Sequence, residues 1–199
     1  MLTAAHCLGG DIEVIIGSDN VNQGQKINVK SAIEHPDYND GTDEYDIALL
    51  VLEEPTSLDI ALVKVNKDNN YPAAGRTAHT MGWGDTDPGD SQRLSDELMV
   101  VDVEVISNDE CEAAERGGDA YDGWIKDSMV CTFTNGQDAC QVSLIYYAIC
   151  IRLMYECSIP LSHPKSYTQY NIKQGDSGGP LVIQSNDNPE DDVLFGIVR

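Results

Sequence analysis

Residues 99–105 read Met-Val-Val-Asp-Val-Glu-Val. Met99, Val101, Val103 and Val105 fall on one side of a two-residue period, and Val100, Asp102 and Glu104 on the other. That alternation predicts a strand with one buried face. Ile27, Val29, Ser31 and Ile33 alternate with polar or small residues and predict a second such strand. Ile47-Ala48-Leu49-Leu50-Val51-Leu52 is a continuous apolar run, which fits a strand buried on both faces. Turn chemistry separates these runs at Gly17-Ser18-Asp19-Asn20, Asn39-Asp40-Gly41 and Asp85-Thr86-Asp87-Pro88-Gly89-Asp90. One helix is expected, where Ser107-Asn108-Asp109-Glu110 forms a capping-box pattern ahead of Cys111 to Glu115. Short strands, many turns and a single helix define an all-β chain, a barrel or a sandwich.

The chain has 199 residues, enough for one large or two small domains with a real core. Its net charge of −22 argues against nucleic acid or an anionic membrane as a partner, because both are polyanions. The same charge would attract basic peptides or cations, and it also serves plain solubility. No run of about 18 apolar, uncharged residues exists, so no membrane span is expected. Met1-Leu2-Thr3-Ala4-Ala5-His6 lacks the basic start and apolar stretch of a signal peptide. Six cysteines point to an oxidising compartment, and their connectivity stays open at this level. No cysteine spacing suggests a structural zinc, and neither a metal nor a cofactor is expected.

The composition changes abruptly at residues 142–174. These 33 residues carry one acid (Glu156) and three bases (Arg152, Lys165, Lys173), whereas the rest of the chain holds 33 acids and 9 bases. The block also contains five of the nine tyrosines. A bias shift of this kind marks a separate segment.

The block ends directly before Gly175-Asp176-Ser177-Gly178-Gly179-Pro180. Ser177, with glycines at −2, +1 and +2, sits in backbone that can turn tightly and admit a substrate. It is a candidate nucleophile with backbone N–H groups around it, although the same residues are ordinary turn chemistry. A serine nucleophile needs a base, and the base needs an orienting carboxylate. Of the four histidines, His35 reads as a loop residue, His79 as a strand-surface residue, and His163 lies inside the block. His6 lies in the small apolar run Leu2-Thr3-Ala4-Ala5-His6-Cys7. Asp46 opens an apolar strand, so its carboxylate would be partly desolvated and in need of a partner.

Leu2-Thr3-Ala4-Ala5-His6-Cys7, Asp46-Ile47-Ala48-Leu49-Leu50, Gly82-Trp83-Gly84 and Gly175 to Pro180 occur in the order found in trypsin/chymotrypsin-family serine proteases. The chain resembles that family over essentially everything except 142–174. The resemblance implies two antiparallel Greek-key β-barrels, incomplete at both termini, with residues 1–80 giving part of the first and 81–199 part of the second. It implies a trypsin-like endopeptidase in which His6 is the general base, Asp46 its orienting carboxylate and Ser177 the nucleophile. The backbone N–H groups of Gly175 and Ser177 resemble the oxyanion hole. Asp176 resembles the acid that pairs with a new N-terminal amine on activation. Asp138 matches the acid at the base of a pocket that selects Arg or Lys before the scissile bond. Cys111 and Cys131 resemble a family disulfide. Secretion is implied by the resemblance together with the cysteines.

Departures from the family pattern carry their own expectations. On the resemblance, the activation site, the first strands and the partner of Cys7 lie upstream, and the partner of Cys140 lies downstream. Arg199 stands where the family commonly has a serine supporting the triad acid. Removing residues 142–174 would join Asp138-Ala139-Cys140-Gln141 directly to Gly175-Asp176-Ser177, the uninterrupted family order, and Gln is repeated at the seam as Gln141 and Gln174. The block therefore reads as translated intervening sequence, with a genuine loop insertion as the rival reading, and Cys150 and Cys157 inside it have no family counterpart. With the block present, the chain is expected to be inactive toward substrates. The alternative reading is a non-catalytic homologue that binds proteins through an acidic face. Oligomeric state is not legible.

Overall fold

A computed structural model describes residues 1–84, 94–113, 115–116, 119–120, 123–133, 176–185 and 188–199. The strands are β1 (Leu2–Thr3), β2 (Glu13–Ile16), β3 (Gln25–Glu34), β4 (Ala48–Leu52), β5 (Lys64–Val65), β6 (Thr77–Gly82) and β7 (Met99–Ile106). They continue as β8 (Glu115–Arg116), β9 (Asp119–Ala120), β10 (Cys131–Phe133), β11 (Pro180–Ile183) and β12 (Val193–Ile197). One α-helix, α1 (Asn108–Glu112), follows β7, and single 3₁₀ turns cover Ala5–Cys7 and Pro189–Asp191. A four-stranded sheet has the order β1-β4-β3-β2, and a six-stranded sheet the order β10-β7-β6-β11-β12-β5. All pairings in both are antiparallel except β12 with β5. A small β8-β9 hairpin stands apart. The all-β expectation holds.

The alternation at 99–105 produces the larger core. Val101, Val103 and Val105 are buried while Asp102 and Glu104 face water. The three valines pack with Ala78, Leu181, Ile183 and Val198, so one face of β6, β7 and β11 is sealed by the segment that follows β12. The smaller core unites Val14, Ile16, Ile27 and Leu50 from β2, β3 and β4. Each fully buried aliphatic side chain contributes on the order of 1.5–3 kcal/mol relative to exposure.

Two strand expectations need correction. The run over 47–52 is buried on one face only. Ala48 and Leu50 are inside, whereas Leu49 is 47% and Val51 41% exposed. These outward residues sit beside Ile33 of β3, which pairs with Leu49 and is itself 52% exposed. In β3 the register shifts between Val29 and Ser31, so the alternation that buries Ile27 does not carry through to Ile33. The helix starts as expected, with Ser107 accepting from the Glu110 amide while the Glu110 side chain accepts from the Ser107 amide. It stops at Glu112, short of the expected Glu115. Cys111 of α1 is bonded to Cys131 of β10 across 20 residues of sequence. Closing a loop of that size is worth about 3 kcal/mol in the chain-entropy account.

Candidate functional site

The apolar run Leu2–Cys7 folds as a short strand and a 3₁₀ turn. β1 pairs with β4, matching Thr3 to Ala48, and this places the residues after Thr3 beside the residue that opens β4. His6 and Asp46 meet there. Asp46 Oδ1 accepts from the His6 backbone amide at 2.8 Å, and Oδ2 lies 2.6 Å from His6 Nδ1. The side chains are 21% and 8% exposed. Burial pushes Asp46 up, but the hydrogen bonds and charge of His6, with the Ala5 amide, hold its carboxyl below the ordinary value. The reciprocal effect on His6 is large. The Asp46 hydrogen bond, aided by Cys7 and opposed by burial, lifts the imidazole to about 10. A charged partner that accepts a hydrogen bond favours the protonated ring.

The backbone around Asp46 is tightly wound. Asp43 and Tyr45 are non-glycine residues in the left-handed region, both at φ 56°. The Ile47 amide donates to the Tyr45 carbonyl at 2.7 Å, and Asn39 bridges Glu44. The Tyr45 ring stacks on His35 with centroids 4.9 Å apart, which gives the loop residue His35 a packing role. His79 is on the strand surface as expected, with Nδ1 2.8 Å from Asp102 across the β6-β7 pair.

The Asp176–Pro180 turn precedes β11. Gly178 has φ 83°, a conformation that L side chains rarely adopt. A Cβ there would also meet Thr3 Oγ1 at 2.5 Å and Cys7 Sγ at 3.3 Å. The glycine after Ser177 therefore lies directly against the segment that carries His6. The Gly178 amide donates to Val198 and the Val198 amide to Gly179, which ties the turn to the chain after β12. Ser177 itself is half-buried, and among the described residues neither its amide nor its hydroxyl is hydrogen-bonded. His6 Nε2 faces Cys7 Sγ at 3.5 Å.

Asp176 is 8% exposed. Its Oδ1 accepts from the Gly84 amide at 2.9 Å, and Oδ2 has no partner among the described residues. Burial drives this carboxyl up to about 6 despite the Gly84 bond. Gly82 makes the position possible, because a Cβ at residue 82 would overlap the Asp176 carboxylate. Trp83 between the two glycines donates Nε1–H to the Asp19 carbonyl at 2.8 Å. The structure thus brings His6, Asp46, Ser177 and Asp176 into one neighbourhood. Asp138, Gly175, Cys140, Cys150, Cys157, His163 and the block 142–174 lie outside the described residues.

Three features of the site escaped sequence reading. Cys7 contacts the very nitrogen that a serine would address, and its adjacency to His6 was the available signal. Gly82 and Gly84 form the cradle of Asp176, a role their motif alone does not express. Asp43, buried at 8%, pairs with Arg199 at 2.7 Å, and nothing in the spacing of residues 43 and 199 announces it.

A fold of two strand-rich sheets, carrying an Asp-fixed histidine on a segment packed against an Asp-Ser-Gly-Gly turn, defines a serine-protease-like chain. Comparison with known proteins agrees. The trypsin family model matches residues 1–142, ending at the first residue of the compositionally distinct block. Trypsin epsilon of Drosophila erecta is 34% identical over 203 residues, covering all of this chain and 62% of the relative. Hypodermin-A of Hypoderma lineatum is 30% identical over 206 residues, with the same shares. Serine protease 1 of Rattus norvegicus is 31% identical over 182 residues, covering 85% of this chain and 71% of the relative. The chain belongs to the trypsin family, a family of serine endopeptidases. It spans less than two thirds of the length of the two insect proteins.

Proposed function

We propose that this chain carries the catalytic apparatus of a secreted trypsin-like endopeptidase that cleaves after Arg or Lys. The observation that carries the reading is the 2.6 Å His6–Asp46 contact on a segment packed against the residue after Ser177. In this reading residues 1–80 and 81–199 contribute to two barrels, with His6 and Asp46 from the first and Ser177 from the second. Ser177 Oγ attacks the scissile carbonyl carbon as His6 Nε2 takes its proton. The amides of Ser177 and Gly175 receive the developing oxyanion. Collapse of that intermediate expels the amine, which takes the proton back from His6, and water repeats the sequence on the acyl-enzyme. Asp46 holds Nδ1–H so that Nε2 carries the lone pair. Asp138 would meet the substrate's cationic side chain, and Asp176 would receive a cation at its unpartnered oxygen.

For that chemistry His6 must be neutral, and Nε2 must turn from Cys7 to Ser177. Both requirements describe a resting arrangement. The block at 142–174 adds a second brake, because it separates Asp138 from Ser177 in sequence and adjoins Gly175. The test is fluorophosphonate labelling of the full chain and of a contracted chain joining Gln141 to Gly175, each with a Ser177→Ala control. The contracted chain is expected to label at Ser177 roughly 10²–10³-fold faster, the scale of one oxyanion donor. If neither form labels under any alkaline condition, the non-catalytic reading, an acidic protein-binding module, replaces this one.

A further inference from the structure

The segment after β12 touches both halves of the site. Its Val198 exchanges backbone hydrogen bonds with Gly178 and Gly179, the two residues that follow Ser177. Its next residue, Arg199, reaches the other sheet and pairs with Asp43 Oδ2 at 2.7 Å. Asp43 lies three residues before Asp46, in the loop whose backbone is left-handed at Asp43 and Tyr45. Side chains disfavour that conformation, so the loop persists only where contacts hold it. Asn39 and His35 hold it from within its own sheet. The ion pair of Arg199 with Asp43 ties it from the side of Ser177.

We propose that Arg199 and Asp43 form a positioning pair that couples the Ser177 turn to Asp46 and so fixes the Asp46–His6 hydrogen bond. The inference rests on the reading of His6, Asp46 and Ser177 as a catalytic set, but its primary readout does not require turnover. Arg199 is suited to the task because its charge is permanent and its planar fork is directional. Asp43 is 8% exposed in its side chain while Arg199 is 48% exposed, so the carboxylate is the member that depends on the pair. Asp46, Asp43, Asp40 and Glu34 act on Tyr38 beside the loop, and Glu44, Tyr45 and the stacked His35 are the further titratable groups in or against it. Those bearing on the imidazole are Asp46 and Cys7. Displacing Asp46 removes the strongest of the effects that keep His6 protonated.

The experiment is an NMR titration of His6 in the full chain, following the Nδ1 proton and the ring midpoint. The double variant Asp43→Asn with Arg199→Met leaves the local net charge unchanged, so a Coulombic shift is not expected. Loosening predicts a broadened Nδ1 proton and a midpoint lower by about one unit or more, a tenfold change in protonation preference. Arg199→Lys keeps the charge without the fork and is expected to fall between the two. The methyl resonances of Val103 and Val105, in the core of the six-stranded sheet, should stay in place. An unchanged His6 in the double variant overturns the proposal. So does a change in His6 that appears only together with loss of those core resonances, since that is a folding defect. Parallel labelling of Ser177 in the chain that joins Gln141 to Gly175 separates the two readings: failure to label there sinks the proteolytic function, whereas a normal His6 in the double variant sinks the coupling.

Discussion

The loop before β4 and the turn before β11 each remove a carboxylate from water, and the two carboxylates end in opposite states. Both are withdrawn from water: Asp176 is buried as a whole residue, and Asp46 is half-buried with its carboxylate side chain turned inward. Asp46 receives the His6 amide and the His6 ring, and its carboxyl stays below the ordinary value. Asp176 receives only the Gly84 amide, keeps one oxygen without a partner among the described residues, and rises to about 6. Burial alone is thus a poor guide to ionisation. The number and charge of the donors decides, because each N–H aimed at the anion offsets part of the lost hydration. One carboxylate is complete within the described chain and the other is poised for something more.

Breaking the complete member should give the largest effect. Asp46→Asn replaces one accepting oxygen with an NH₂ group. The amide can donate to Nδ1, which moves the ring proton to Nε2 and removes the lone pair that the proposed base would offer Ser177. If His6 is the base, Ser177 labelling should fall by about 10²–10⁴-fold, the usual contribution of a positioned general base. The same change should bring the His6 midpoint from about 10 down toward the ordinary 6.5. A labelling rate that survives the substitution would remove Asp46 from the mechanism, whatever the geometry.

Asp176→Asn sharpens the other side. The folded carboxyl is raised from 3.8 to about 6, so the folded state binds its proton more tightly than the unfolded chain does. Its contribution to stability is fully present below about pH 3.8 and is lost as pH climbs through about 6. The full span corresponds to about 3 kcal/mol. Asparagine keeps an acceptor for Gly84 and cannot ionise. The variant should therefore gain up to about that amount over the parent at neutral pH, and the gain should vanish near pH 4. Urea midpoints at the two pH values measure it. A variant that is less stable than the parent at neutral pH would mean that Asp176 already has a cationic partner.

Much of this pattern was legible in the sequence, and what escaped has a physical reason. The period-two alternation at 99–105 gave β7 and its buried valines, because a strand fixes the direction of every side chain. The capping residues gave the start of α1 for the same local reason. The run over 47–52 misled, because hydrophobicity records what a strand could bury and not what lies across from it. Ile33, Leu49 and Val51 are apolar and outward-facing all the same. At the site, His6, Asp46 and Ser177 were found by motif, yet the approach of Gly178 to Thr3 and Cys7 depends on pairings between distant segments. The Asp43–Arg199 pair spans almost the whole chain, and no local signal could have chosen it from 34 acids and 12 bases.

The smallest expected effect lies between the two carboxylates, at Cys7. Its Sγ is 3.5 Å from His6 Nε2, and it raises the imidazole through both a hydrogen bond and a charge effect. Asp46 acts on the opposite nitrogen and is the larger cause. Cys7→Ala should therefore lower the His6 midpoint without returning it to the ordinary value. Neutral imidazole then becomes available at lower pH, and the acid limb of the Ser177 labelling profile moves in that direction. The sign is the opposite of that expected for Asp46→Asn, which lowers the same midpoint while costing reactivity. Stability should follow the titration: the share that Cys7 lends to protonated His6 is present below about pH 6.5 and fades as pH rises through about 10. An acid limb that does not move would mean that the thiol merely rests beside Nε2, leaving Asp46 alone to set the charge of the ring.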